Sequence, residues 1–419
     1  MFRPDQVHDV MKRHTIGDGE PIVIDFEKSF GTHLVDAKTG QPFLDCSSQF
    51  ASMPLGWNHP KLKEKMESIN LYAVHKIANS DYYSVPLAEF VHAFAGIAPD
   101  FNHFFFVEGG TLGVENALKA AFDWKMKKLG LSEAAANSLD VVHLEQAFHG
   151  RSGYTLSLTN TVPNKTALFP KFNWSRIKNP KIHFPLVESE TTVVEELSLQ
   201  QAEIALKTNR VAAIILETIQ GEGGDNHFSS EYFAALRKMA FEYEAMLILD
   251  EVQTGVGLTG TTWAYEHHAG LRPDMIAFGK KTQVCGFAST TRIDEVPDNV
   301  FKQSSRINST WGGNIIDMIR FTHIAQIMKE DDILNQVAIV GDYFLKQLLT
   351  VPRITNVRGK GLMLAFDLET PEARNAVLDN LLKRMTVLPC GERSIRLRPH
   401  LIFSMADVDE AIEIIKHAV

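Results

Sequence analysis

Apolar residues along this chain change their spacing twice, and each change marks a different kind of structure. Up to about residue 60 they come in short runs. Ile22-Val23-Ile24 and Thr32-His33-Leu34-Val35 read as strands, with turn formers over residues 36–42 before further apolar positions. From about residue 61 the rhythm alters. Helix-spaced segments over residues 60–69 and 86–97 lead into short apolar strands that alternate with amphipathic helices. Phe104-Phe105-Phe106-Val107 predicts a strand, and residues 113–127 a helix through Val114, Leu118, Ala121 and Trp124. Val141-Val142-His143-Leu144, residues 211–217, Met246-Leu247-Ile248-Leu249 and Met275-Ile276-Ala277-Phe278 predict further strands, with a helix near residues 229–244. Strands apolar on successive residues, spaced by helix-length stretches, imply a mostly parallel sheet covered on both faces.

The second change follows Gly312-Gly313-Asn314. Long amphipathic helices are predicted over residues 315–329 and 331–349. Strand-like segments follow at 357–367 and 394–403, with a helix near 371–385 between them. Ser404, with Asp407 three residues on, opens a last helix in the manner of a capping box. The fold class expected is therefore α/β. A large domain spans residues 61–314, a small α+β domain spans 315–419, and residues 1–60 join the small one.

Composition narrows the function. A chain of 419 residues exceeds what one hydrophobic core usually serves, and 45% hydrophobic with 22% charged residues excludes a disordered chain. A net charge of -9 argues against nucleic acid as a partner. Cys46, Cys285 and Cys390 are scattered, with neither a disulfide framework nor metal-ligand spacing, which suits a reducing cytoplasm. Asp5, His8 and Asp9 interrupt the N-terminal apolar residues, so no signal peptide is read there. No apolar run approaches the roughly 20 residues of a membrane span.

Four strings sit where predicted strands end, the usual ligand edge of an open α/β sheet. Val107-Glu108-Gly109-Gly110-Thr111 leads into a helix whose first N–H groups favour a phosphate, although a plain glycine turn explains it equally well. Leu249-Asp250-Glu251-Val252-Gln253 puts a carboxylate after a buried strand, where it needs a cation unless the strand end is solvated. In Phe278-Gly279-Lys280-Lys281 a strand delivers an amine to the sheet's mouth. A surface lysine pair is the commoner reason for such a string, and alternation requires Lys281 to point away if Lys280 points in. Phe148-His149-Gly150-Arg151 offers an aromatic plate and a carboxylate clamp, though singly Phe148 fits a core and Arg151 a surface ion pair. Together they supply a phosphate cradle, a ring plate, a carboxylate for a ring nitrogen and a lysine for an aldehyde. Those are the needs of pyridoxal phosphate.

These strings, with Asn58-His59-Pro60 and Asp250-Glu251-Val252-Gln253-Thr254-Gly255, make the chain resemble the class-III, fold-type-I pyridoxal-phosphate aminotransferases over essentially its whole length. Longer strings are similar to the branch of that family that acts on the ε-amino group of L-lysine. They are Phe148-His149-Gly150-Arg151-Ser152-Gly153-Tyr154-Thr155-Leu156-Ser157, Glu217-Thr218-Ile219-Gln220-Gly221-Glu222-Gly223-Gly224-Asp225, Phe278-Gly279-Lys280-Lys281-Thr282-Gln283-Val284-Cys285-Gly286 and Asn308-Ser309-Thr310-Trp311-Gly312-Gly313-Asn314.

The resemblance implies roles residue by residue. Lys280 carries the cofactor and shuttles the proton. Asp250 pairs with the pyridinium nitrogen, Gln253 approaches the phenolic oxygen, Phe148 stacks on the ring, and Gly110 and Thr111 hold the phosphate. Thr310 reaches the neighbouring subunit's cofactor in a homodimer, with Asn308 beside it at the substrate. Arg151 clamps lysine's α-carboxylate. Arg396 takes that of 2-oxoglutarate, with Glu222 neutralising it while lysine is bound. The reaction implied passes the ε-amine of L-lysine to 2-oxoglutarate by a ping-pong mechanism. Two positions depart from the family pattern: Pro399-His400 replaces a proline pair, and Thr218 stands where proline is common. The rival expectations are an ornithine or 4-aminobutyrate aminotransferase, a non-transaminating enzyme such as an aminomutase or decarboxylase, and a cofactor-free protein that keeps the fold.

Overall fold

The computed structural model describes residues 2–419. Its strands, in chain order, are β1 (His33–Val35), β2 (Pro42–Asp45), β3 (His103–Val107), β4 (Asp140–Leu144), β5 (Arg176–Ile177), β6 (Val211–Glu217) and β7 (Met246–Asp250). They continue with β8 (Met275–Phe278), β9 (Cys285–Ser289), β10 (Thr355–Lys360), β11 (Met363–Asp367), β12 (Met385–Thr386), β13 (Leu388–Cys390) and β14 (Ser394–Leu397).

Seven of these form one sheet in the order β3-β9-β8-β7-β6-β4-β5. From β8 through β5 every pairing is parallel, and every residue of β6, β7 and β8 is buried. That is why their sequences are apolar on successive positions. One face carries the helix Gly110–Lys128, which sets Val114, Leu118, Ala121 and Trp124 against Ile215, Ile248 and Ala277. The other face carries the helices Val85–Ile97 and Ser230–Glu242, whose Phe90, Phe94 and Leu236 pack with Leu247 and Leu249. A separate antiparallel sheet has the order β10-β11-β14-β13, and a third joins β1, β2 and β12. In that third sheet Leu44 pairs with Met385 and Asp45 with Thr386, so N-terminal and C-terminal segments share a layer. No helix among the described residues is long and apolar enough to cross a membrane.

Several expectations need correction. Residues 22–24 form no strand; Ile24 makes a single bridge to Asp36. The segment 357–367 is a hairpin, β10 and β11, rather than one strand. The segment 394–403 is strand only over β14, and the helix expected over 371–385 ends at Leu381, before β12. The helix expected over 60–69 divides into Pro60–Glu64 and Met66–Ala73. Sequence reading also passed over β9 and the helix Glu188–Leu206. β9 runs antiparallel to both β3 and β8, so β3 points the same way as the parallel strands. The ends of β3, β4, β6, β7 and β8 thereby meet at one edge. Gly286 makes the close approach possible, since a Cβ there would lie 1.9 Å from Phe105 O.

Candidate active site

At that edge lies a cavity of about 540 Å³, and its wall can be built strand by strand. β8 ends at Phe278, and Lys280 two residues later lines the cavity. Burial first, then the nearby Arg396 and Arg398, lower the Lys280 amine to about 8. Lys281 is 1% exposed and outside the cavity, with its Nζ 3.4 Å from Gln253 O. The two lysines are not a surface pair, and they point apart.

β7 ends at Asp250, which is buried. Its Oδ2 accepts from His149 Nδ1 at 2.8 Å, and its Oδ1 accepts from the Val252 N–H at 3.0 Å. The other nitrogen of His149, Nε2, is buried without a partner among the described residues. The neighbouring β6 ends at Glu217, paired with Asp250 across the strands. Glu217 accepts from the N–H groups of Phe148 at 3.0 Å and Gly221 at 2.8 Å, and burial raises its carboxyl to about 7. It thus fastens the segment that carries the Phe148 ring and the segment that leads to Glu222. Sequence reading missed both His149 and Glu217. The signal for Glu217 was available, because it ends a buried strand just as Asp250 does.

β3 leads to Gly110 and Thr111 at the start of the helix Gly110–Lys128, where Gly109 provides no side-chain cap. Thr111 Oγ1 lies 2.9 Å from Ser152 Oγ and 2.7 Å from Thr155 Oγ1. Gly150 sits against them at φ +120°, and a Cβ there would stand 2.2 Å from Thr111 Oγ1. This helix start, uncapped and lined with hydroxyls, suits an anion.

The far wall comes from β14. Arg396 Nη2 donates to Glu222 Oε2 at 2.9 Å, while Arg396 Nε and Nη1 are buried without partners among the described residues. Glu222 also forms an ion pair with Lys165, a residue that sequence reading did not single out. Burial opposes ionisation of Glu222, yet Arg396 and Lys165 hold its carboxyl below the ordinary range. Gln253 lines the same space and accepts at Oε1 from Arg398 Nε at 3.1 Å, which fixes which end of its amide faces Arg398. Arg151 lines the cavity from its exposed side, with no ion-pair partner among the described residues. Asn308 and Thr310 are exposed and do not line the cavity. The site therefore gathers Lys280, Asp250, Gln253, Phe148, Gly110, Thr111, Arg151, Glu222 and Arg396, and leaves those two outside.

The two departures have structural explanations. Thr218 donates to the buried Glu251 Oε1 at 2.8 Å. His400, fully buried, contacts Met53 O at 2.8 Å through Nδ1 and Asp45 Oδ2 at 3.1 Å through Nε2.

Known proteins resemble this chain over nearly its whole length. The chain is 47% identical to an L-lysine-epsilon aminotransferase of Streptomyces clavuligerus over 99% of this chain and 94% of the relative. It is 47% identical to another, of Amycolatopsis lactamdurans, over 97% and 94%. A lysine aminotransferase from M. tuberculosis, solved in the internal aldimine form, superposes with a TM-score of 0.95 at 45% identity. That match covers 100% of this chain and 99% of the other. The family model described as aminotransferase class-III matches residues 16–419, and the chain belongs to that family.

Proposed function

We propose that this chain is a pyridoxal-phosphate-dependent L-lysine ε-aminotransferase with 2-oxoglutarate as amine acceptor. The observation that carries the reading is one cavity with a buried lysine amine at one end and the Glu222–Arg396 pair at the other. Similarity to lysine aminotransferases over nearly the whole chain supports it. The residues fit the cofactor. His149 presents a buried nitrogen with no partner among the described residues, Asp250 supplies an anion, and the uncapped helix start at Gly110 suits a phosphate.

In this reading Gly110 and Thr111 hold the phosphate, Phe148 lies against the ring, Asp250 meets the ring nitrogen, Gln253 meets the phenolic oxygen and Lys280 meets the aldehyde. Bound there, the cofactor supplies an electron sink for the carbon that carries the amine. The remaining work falls to the chain. Lys280 Nζ moves the proton at that carbon. Arg151 holds lysine's α-carboxylate, which leaves the ε-amine at the end of the cavity that Lys280 lines. Arg396 holds a carboxylate of 2-oxoglutarate once Glu222 withdraws. Lysine leaves as 2-aminoadipate 6-semialdehyde and 2-oxoglutarate as glutamate. Asn308 and Thr310, exposed in the single chain, complete the neighbouring copy's site in a homodimer.

A panel of amino donors with 2-oxoglutarate held constant tests the reading. L-Lysine should give the highest kcat/KM. A preference for ornithine or 4-aminobutyrate would overturn the substrate, and no transfer from any donor would overturn the reaction.

A further inference from the structure

Glu222 is shared. One of its oxygens faces Arg396 and the other faces Lys165, so a single carboxylate answers two cations. The two cations differ in setting. The Arg396 side chain is 7% exposed and the Lys165 side chain 27% exposed, on the short turn Pro163–Lys165 at the cavity wall. Lys165 Nζ also lies 5.7 Å from the centroid of the Phe148 ring, so it stands over the reacting region rather than out in solvent.

If 2-oxoglutarate is to use Arg396, Glu222 has to give that guanidinium up. A partly buried carboxylate that leaves its only cation loses its compensation, and such separations are strongly unfavourable. Lys165 removes that difficulty. It already holds the second oxygen, so Glu222 can swing towards the wetter side of the cavity without ever being unpaired. Arg396 is already prepared for the exchange, because its Nε and Nη1 have no partner among the described residues. Only the Nη2 contact has to change hands.

We propose that Lys165 is a positioning residue for acceptor specificity, the cation that receives Glu222 when Arg396 turns to a dicarboxylate. This rests on the lysine-and-2-oxoglutarate reading above and adds the partner that makes its switch reversible. Lys165 touches no reacting atom in this role. It acts through Glu222, and its effect is confined to the half-reaction in which Arg396 must be free.

The test measures the two half-reactions of the holoenzyme separately, by stopped-flow absorbance of the cofactor, in the wild type, Lys165→Met and Lys165→Arg. Lys165→Met should slow the 2-oxoglutarate half-reaction by about tenfold in its second-order rate and keep the lysine half-reaction within about twofold. Lys165→Arg, which keeps the charge, should recover most of the acceptor rate. Equal slowing of both halves would make Lys165 a merely structural residue. An unchanged acceptor half, or an arginine variant no better than the methionine one, would also overturn the proposal. A wild-type enzyme that takes no amine from lysine would instead remove the reading beneath it, and the proposal with it.

Discussion

His149 Nδ1 meets Asp250 Oδ2 at 2.8 Å with both side chains almost wholly shut from solvent. The contact uses one oxygen of the carboxylate, and the Val252 N–H takes the other. Both held oxygens keep Asp250 in one orientation, and His149 is held in turn by the Thr159 hydroxyl at its backbone N–H.

That arrangement predicts the behaviour of Asp250→Asn. The amide preserves shape but supplies no negative charge for a protonated ring nitrogen. Turnover should fall by about 10²–10³-fold, the usual cost of losing one preorganised electrostatic partner. Cofactor should still be retained, because Gly110, Thr111 and Phe148 are untouched. Absorbance stoichiometry and kcat, measured on the same preparation, check both halves of the expectation.

Lys280 gives a pH dependence with a definite sign. Its pKa is lowered to about 8 by burial and by two arginines, so the amine becomes mostly neutral above about pH 8 rather than in the ordinary lysine range near 10.4. Only the neutral amine attacks an aldehyde. Capture of pyridoxal phosphate by cofactor-stripped protein should therefore speed up through pH 7–8 and level off above. Lys280→Ala should abolish borohydride-stable attachment, and Lys281→Ala should retain it. Rates that keep climbing towards pH 10 would contradict the lowered amine.

Much of this was legible in the sequence, for physical reasons that also explain the gaps. β6 and β8 could be read to the residue because a strand buried on both faces is apolar throughout. Lys280, Asp250 and Phe148 were legible because each ends or follows a strand of the buried sheet. β9, with Gly286 as its second residue, carries no comparable apolar run, since close backbone packing took the place of a side chain there. The helix Glu188–Leu206 buries only Ser198, Ala202, Ala205 and Leu206, too little for a visible apolar stripe. The β10–β11 hairpin turns at Gly361 (φ +55°) and Leu362, without the Asn-Gly or Asp-Gly pair that announces such turns. Lys165 belongs to a surface turn with no strand before it. Only tertiary placement gives it a role.

Glu222 and Arg396 should separate the two substrates. Glu222→Ala leaves Arg396 with unmatched charge in the state that accepts lysine. Breaking a buried pair costs on the order of 3–5 kcal/mol, and less here because the Glu222 side chain is 22% exposed. The lysine half-reaction should slow by roughly 10–100-fold. The 2-oxoglutarate half-reaction should hold or improve. Arg396→Ala should show the opposite bias. Equal losses in both halves for Glu222→Ala would mean that the residue only supports the wall.

His400 predicts a stability effect away from the chemistry. It bridges Met53 O and Asp45, and Asp45 also takes the Trp57 indole N–H, the Thr386 hydroxyl and the N–H groups of Ser47 and Ser48. His400→Leu should leave Asp45 short of a partner and lower Tm by about 2–5 °C. Asp45→Asn should cost a similar amount, and the double variant less than the sum. Thermal unfolding of the four holoenzymes checks this, and strict additivity would show that the two side chains do not interact.

In the proposed reaction the ε-amine of lysine, and not its α-amine, ends on glutamate. Nitrogen-15 labelling tests it directly. The enzyme is supplied with 2-oxoglutarate and with L-lysine labelled at one nitrogen or the other, and the glutamate formed is examined by mass spectrometry. Glutamate should carry label from ε-labelled lysine and none from α-labelled lysine. Label arriving from the α-nitrogen, or from neither, would contradict it.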